Sequence, residues 1–543
     1  MSGPGLPAFA TTAPGAARVC RSRRQCANRY GSRVSSHSES GPSEGASLAS
    51  RSRLERALGF FGVGVRQARV GDAEQPLSVK RERRWAELGL GPAVCTLLMS
   101  VSMMMVVWNL QDASLTNANT GSRYATIEAL VDQHTYHIDR THYLFTIDKY
   151  KVGPNFISSK PPTLPTIGAG VYWVYRELTG KTIARYEGDV VRLVSFCTGG
   201  ICHLLFLIYF YRLCRLLLAR ELAIIASMAG ACFGYLGVAY ATHINNHSTA
   251  AALAVMGFYY AVRIRQEHQV RLWHWPLAGL ALGLLPAIDL SGVAITALIG
   301  LYLLSYDWKK TLLYFVPALL PGLVTHFALT YYISGSFKPF YLNSALKTFK
   351  QFYFRTAGGI DGLHEPKTTY AFNVLLGHHG LFSMTPLYCF GLWELVRSIR
   401  RRQLLAESLV SALAILAYCA YYILRTRNYG GWCVGMRWLI PVMPFLLLYF
   451  GRWLDRVRVT SPVWLAVVLA FAVSCFNVQD GLSSPLQYSV WHNWLENAPN
   501  RNRVGKEFNL PKRRAPKKKR GAKAVPVPVE PAQQEAGPAD TTD

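Results

Sequence analysis

Long apolar runs alternate along the chain with short polar stretches, most of them basic. The first run, about Leu90 to Leu110, carries no charged residue. It is long enough to cross a hydrocarbon core of roughly 30 Å. Further candidate spans follow at about 190–211, 221–241, 248–264, 275–289, 290–306, 311–333, 379–396, 408–425, 438–451 and 462–479. The pattern predicts an all-α integral membrane protein of about eleven transmembrane helices with a large first extracytoplasmic loop. The stretch 275–306 is long for one span and short for two. It is read as two short helices meeting near Asp289, because a single helix would put the later basic clusters on the wrong side.

Charge sharpens this picture. The 543 residues are 51% hydrophobic and only 16% charged, yet the formal net charge is +27. A basic protein that binds nucleic acid spreads its cations over a folded domain. Here they gather at the two ends and in short clusters, so a lipid bilayer is the expected partner and nucleic acid is not. Lys80, Arg81, Arg83 and Arg84 precede the first run, and no further cation occurs until Arg123. The positive-inside bias therefore puts the N-terminus in the cytoplasm. The expected organisation is a basic, mostly disordered cytoplasmic arm at 1–88, a polytopic domain at 89–480 and a polar basic tail at 481–543. The outer loops fall at about 111–189, 334–378 and 426–437. Most of the eleven cysteines sit in apolar runs and no Cys-x-x-Cys pair occurs, so neither a disulfide framework nor a structural zinc site follows.

Chemistry is expected in the outer loops, since the inner ones are short and basic. The first outer loop is far longer than a connector needs. It carries Gly-Ser-Arg-Tyr-Ala at 121–125, Thr-Ile-Asp-Lys at 146–149 and Ser-Lys-Pro-Pro at 159–162. Tyr124, Ile127, Ala129 and Leu130 recur near helical spacing and predict a helix along the membrane surface. Pro161 and Pro162 stop any helix and hold Lys160 in an extended segment. The second outer segment has Lys347, Lys350, Arg355 and Gly-His-His-Gly-Leu-Phe-Ser at 377–383; the third runs from Arg425 to Arg437. His378 and His379 are expected to hydrogen-bond phosphate or sugar. A divalent cation is the alternative, but an adjacent pair does not share a helix face and no third ligand is evident. No cofactor is otherwise expected. His243, Asn245, Asn246 and His247 form a polar knot in an outer turn, readable as capping or as substrate binding. Asp289 is an acid among apolar residues, functional by default unless it lies at the outer surface.

The run Ser-Arg-Tyr-Ala-Thr-Ile-Glu-Ala-Leu at 122–130, followed about thirty residues on by Lys-Pro-Pro at 160–162, resembles the first periplasmic loop of GT-C-type glycosyltransferases. The nearest likeness is to bacterial aminoarabinose and mannosyl transferases that use polyprenyl-phosphate sugars. Those enzymes read Asp-Glu-x-Arg-Tyr-Ala, then a helix, then Lys-Pro-Pro. The resemblance implies a bacterial inner-membrane enzyme that moves a sugar from a polyprenyl-phosphate donor to an extracytoplasmic glycan, lipid or protein. Aligned on Arg123, Tyr124 and Ala125, the family's acidic pair falls on Thr120 and Gly121, so the base must come from elsewhere. Asp112 and Asp148 are the candidates. Arg123, Lys149, Lys160, Arg427 and Arg437 are expected to hold the phosphate, with His243, His247, His378 and His379 as further substrate contacts. A lipid-linked oligosaccharide polymerase or ligase, or a transporter or flippase, are the alternative readings. Transport leaves the long outer loop unexplained, and no P-loop, Rossmann fingerprint or nucleophile elbow is present.

Overall fold

The uncharged run forms α1 (Leu90–Trp108), the first helix among the described residues of a computed structural model. The structure describes residues 90–111, 118–144, 146, 148–267, 271–343, 346, 366–426, 428–431, 433–458, 460–483, 485–486 and 489–497, all within one unit, Phe61–Asp543. The N-terminal arm, Asp112, Lys347, Lys350, Arg355, Arg427 and the basic tail beyond residue 497 lie outside the described residues.

After α1 come α2 (Ala118–Asp132), a hairpin of β1 (Lys149–Val152) and β2 (Asn155–Ser158), and α3 (Thr163–Thr179). Then follow α4 (Glu187–Leu217), α5 (Glu221–Gly234), α6 (Asn246–Gln266), α7 (His274–Ile288), α8 (Leu290–Leu304) and α9 (Trp308–Ser334). The chain continues through α10 (Lys367–Leu375), α11 (Leu387–Arg400), α12 (Leu405–Arg425), α13 (Met443–Leu454), α14 (Val463–Ser483) and α15 (Val490–Asn497). Five of these, α1, α4, α9, α12 and α14, are long and apolar enough to cross a membrane, which makes the chain a multi-pass membrane protein. The break in 275–306 falls at Asp289, whose backbone is extended between α7 and α8.

Two features of the first loop depart from the sequence reading. Eleven of the fifteen residues of α2 are buried, so this helix does not present a face to the membrane surface. It packs on α3, and Tyr124, Ile127, Tyr172, Val190 and Val194 form an apolar core of their own, separate from that of the main helix bundle. The exposed apolar face belongs to α3 instead, at Ile167, Trp173, Val174 and Leu178. Such a face suits a helix in the bilayer surface. The second departure is the hairpin. Gly153, at φ 59°, opens a two-residue turn between Val152 and Asn155, the geometry that asks for glycine at its first central position.

Within the bundle α7 packs against both α6 and α9. Gly283 and Gly322 let the α7 and α9 backbones touch. A Cβ on Gly283 would lie 2.3 Å from the Leu319 carbonyl oxygen, and one on Gly322 would lie 2.4 Å from the Gly283 carbonyl carbon. Small residues at such crossings replace the hydrophobic driving force that lipid removes.

Candidate functional site

Each end of the β1–β2 hairpin delivers one charged group to the same place. Thr146 Oγ1 donates to the Ala118 carbonyl at 2.7 Å and receives the Asp148 amide at 3.2 Å, tying the approach to β1 onto the start of α2. Ser122 Oγ donates to the Asp148 carbonyl at 2.5 Å and lies 2.6 Å from Ser158 Oγ. Asp148, just before β1, turns toward Lys160. Lys149, the first residue of β1, instead donates to the Leu144 carbonyl at 2.5 Å and covers the Phe156 ring. The structure therefore separates Lys149 from the other phosphate-binding candidates.

Lys160 Nζ lies 2.7 Å from Asp148 Oδ2, with both side chains less than one-tenth exposed. Burial lowers the Lys160 pKa to about 8; Asp148 opposes that shift, while Arg123 and Arg437 add to it. Pro161 and Pro162 do not only end the segment. Pro162 sits at the N-cap of α3, so the Lys160 backbone is anchored to a helix. Two small clefts flank this segment, one lined by Lys160, Pro162, Ile333 and Phe340, the other by Pro161, His326, Thr330 and Pro339.

Arg123, 3% exposed, finds neutral acceptors rather than a carboxylate. Its Nε donates to Asn246 Oδ1 at 2.9 Å, its Nη2 to the same oxygen, and its Nη1 to the Asn119 carbonyl at 2.8 Å. Burial lowers its pKa to about 10, which leaves it charged at neutral pH. Tyr124, the next residue, is structural: its hydroxyl donates to the Val191 carbonyl at 3.1 Å and meets Ser195 Oγ at 2.9 Å. Glu128 is also occupied, accepting from the His142 backbone at 3.0 Å and facing its Nδ1 at 2.5 Å.

Arg437 completes the cluster. It opens a short 3-10 turn, is 7% exposed, and acts electrostatically on both Arg123 and Lys160. Its Nε and Nη1 have no hydrogen-bond partner among the described residues. Gly430, at φ 97°, lets the preceding loop close over this guanidinium, since a Cβ there would lie 3.1 Å from Nε. Buried donors left unmet cost about 1–3 kcal/mol each, more when charged. Three cations and one carboxylate thus share a buried site with a formal net charge of +2, and one cation keeps donors to spare.

The polar knot at 243–247 divides. His243 is buried beside Arg123 and Arg437; burial, then these two charges, lowers its pKa to about 3, so the ring is neutral. Asn245 caps α6 by accepting from the His247 amide at 2.8 Å, and Asn246 is the partner of Arg123. His247 Nδ1 lies 2.6 Å from Asp289 Oδ2, and Ser291 Oγ donates to the other carboxylate oxygen at 2.7 Å. Asp289 is therefore an enclosed, paired acid, only 6% exposed, and not a surface residue.

His378 and His379 stand in a turn after α10, their Nδ1 atoms 2.5 Å apart. His492 from α15 joins them, and one ring nitrogen of each lies within 4.8 Å of the others. The sequence reading found no third histidine for this pair; more than a hundred residues separate it from them.

No protein-family model matches the chain, and no curated protein matches it in sequence. Among solved structures it is similar to ArnT from Cupriavidus metallidurans bound to undecaprenyl phosphate, at 16% identity and a TM-score of 0.43 over 72% of this chain and 64% of that one. It is similar also to the archaeal oligosaccharyltransferase AglB from Archaeoglobus fulgidus, at 14% identity and a TM-score of 0.44, over 82% of this chain and 62% of that one. The chain thus spans under two thirds of the length of either. Both of these structure neighbours are GT-C glycosyltransferases.

Proposed function

We propose that the chain is a membrane glycosyltransferase that moves a sugar from a polyprenyl-phosphate donor to an extracytoplasmic glycan, lipid or protein, in a bacterial inner membrane with its N-terminus in the cytoplasm. The observation that carries this reading is the buried cluster of Arg123, Lys160 and Arg437 around one carboxylate, with two Arg437 donors unmet. A sugar-bearing polyprenyl phosphate is a diester with one negative charge, whereas the departing monoester carries nearly two. A site of net charge +2 therefore favours the leaving group over the bound donor, which is what lowers a barrier.

Asp148 supplies the base that Thr120 and Gly121 do not. In the resting site Lys160 holds it. A donor phosphate draws Lys160 to itself and frees the carboxylate to take the acceptor's hydroxyl proton. The acceptor oxygen then bonds to the anomeric carbon, the bond from that carbon to the phosphate oxygen breaks, and the electron pair leaves with polyprenyl phosphate. Neutral His243 can donate to phosphate or sugar without adding charge.

Asp148→Asn tests the assignment in proteoliposomes given a labelled polyprenyl-phosphate sugar. The transfer rate falls by about 10²–10⁴ while donor binding persists. Full activity in this variant overturns Asp148 as the base.

The Lys160 charge sets a pH limit. Its ammonium is lost as pH rises through about 8. Polyprenyl-phosphate affinity is therefore expected to weaken by up to about tenfold per pH unit above 8, where the phosphate itself no longer titrates, with Lys160→Arg removing that limb. Folding stability moves the other way. The depressed pKa costs stability fully below about pH 8, and the cost fades as pH rises from 8 toward the ordinary 10.5.

A further inference from the structure

We propose that His378, His379 and His492 form a site for one divalent transition-metal ion, with Zn²⁺ the ion it fits, and that the ion clasps α15 to the turn after α10, against which the loop that carries Arg437 packs.

Two adjacent histidines on a helix diverge by roughly 100° and cannot share an ion. These two do not stand on a helix. The Gly380 amide donates to the Gly377 carbonyl at 2.9 Å and Ser383 Oγ donates to the same oxygen at 2.8 Å, holding a turn from which both side chains emerge on one side. The three ring planes cross at 79° to 81°, with centroids 4.6 to 5.4 Å apart. Three mutually perpendicular imidazoles with a nitrogen of each inside a 4.8 Å span are the start of a tetrahedral coordination set.

Zinc–nitrogen bonds of about 2.0–2.1 Å put tetrahedral ligand atoms about 3.3 Å apart. Closing the widest gap takes about 1.5 Å, shared between two rings, and opening the 2.5 Å contact between the Nδ1 atoms takes about 0.8 Å, which rotation about the side-chain bonds supplies. Imidazole nitrogens select Zn²⁺, Cu²⁺ or Ni²⁺ over Mg²⁺ and Ca²⁺, which take oxygen. His379 and His492 are 1% and 4% exposed, so the ion sits enclosed. Tyr429 stacks on His379 at 4.9 Å and meets His378 edge-on, and the Met436 amide donates to the His379 carbonyl at 3.1 Å. Metal binding therefore stiffens the Tyr429–Arg437 loop from one side and orders α15 from the other. This site does not depend on the sugar-transfer reading, and either can fail alone.

The test uses the full chain in detergent, purified through a tag that contains no histidine and stripped with a chelator. Titration with Zn²⁺ should show uptake of roughly one ion per chain and a higher melting temperature. His492→Ala and His378→Ala should each weaken binding by about tenfold or more. Co²⁺ in the unaltered chain should give the intense visible bands of a tetrahedral site. No stoichiometric Zn²⁺ uptake by the unaltered chain overturns the proposal, as does His492→Ala binding Zn²⁺ as tightly as the original. Should that variant not fold, the Co²⁺ spectrum decides: an octahedral, hexaaqua-like spectrum overturns it.

Discussion

Lys160→Ala is expected to reduce sugar transfer by about 10²–10³-fold, the scale seen when one preorganised donor to a developing negative charge is removed. The ammonium is 2.7 Å from Asp148 and buried with it, so the substitution removes a phosphate ligand and leaves a carboxylate enclosed without its partner. Breaking a buried pair this way costs about 3–5 kcal/mol of stability. Arg123 and Arg437 remain close enough to offset part of that cost. A second variant separates the two losses. Lys160→Met combined with Asp148→Asn removes both charges and should regain most of the melting temperature. It should stay inactive. Initial transfer rates and thermal unfolding, measured on both proteins, check the expectation. An active double variant would falsify the role given to the pair.

Gly283→Leu is expected to abolish folding rather than chemistry. Even a methyl group at this position meets the Leu319 carbonyl oxygen at 2.3 Å and its Cα at 2.8 Å, and backbone atoms cannot rotate aside. The α7–α9 crossing would have to open, losing the packing that holds helices together in lipid. A loss of about 3 kcal/mol or more, enough to unfold a marginal protein, is expected. Gly170, in α3, has nothing within 4 Å of a built Cβ. Gly170→Ala should leave stability unchanged or raise it by up to about 1 kcal/mol. The yield of monodisperse protein after detergent extraction distinguishes the two.

Sequence pattern revealed the elements that lipid dictates and missed those that depend on tertiary contact. The apolar runs at 90–110 and 311–333 lie close to α1 and α9, because length and hydropathy are local properties. The split at Asp289 was legible from charge bookkeeping. The burial of α2 was not, since Tyr124, Ile127, Ala129 and Leu130 mark only one stripe; the polar remainder is covered by partners such as Asn246, 123 residues away from Arg123. The hairpin had one local signal, Gly153-Pro154, between strands of only four residues each. In the site, Arg123, Lys160, Asp148 and Arg437 were all named from residue type and loop position, and the structure brings them together. It turns Lys149 away to the Leu144 carbonyl and the Phe156 ring, partners that residue type does not reveal. His492 could not be found from spacing, since the fold alone carries α15 to the His378–His379 turn.

The measurement closest to the central claim is equilibrium binding of polyprenyl phosphate, set beside the same polyprenol without its phosphate, to the purified chain at pH 7. Three cations around one carboxylate predict that the phosphate improves affinity by at least about 100-fold, and that Arg437→Ala, which removes the unmet donors, erases at least about tenfold of that gain. Equal affinity for the phosphate and the alcohol, or full phosphate discrimination in Arg437→Ala, would contradict it.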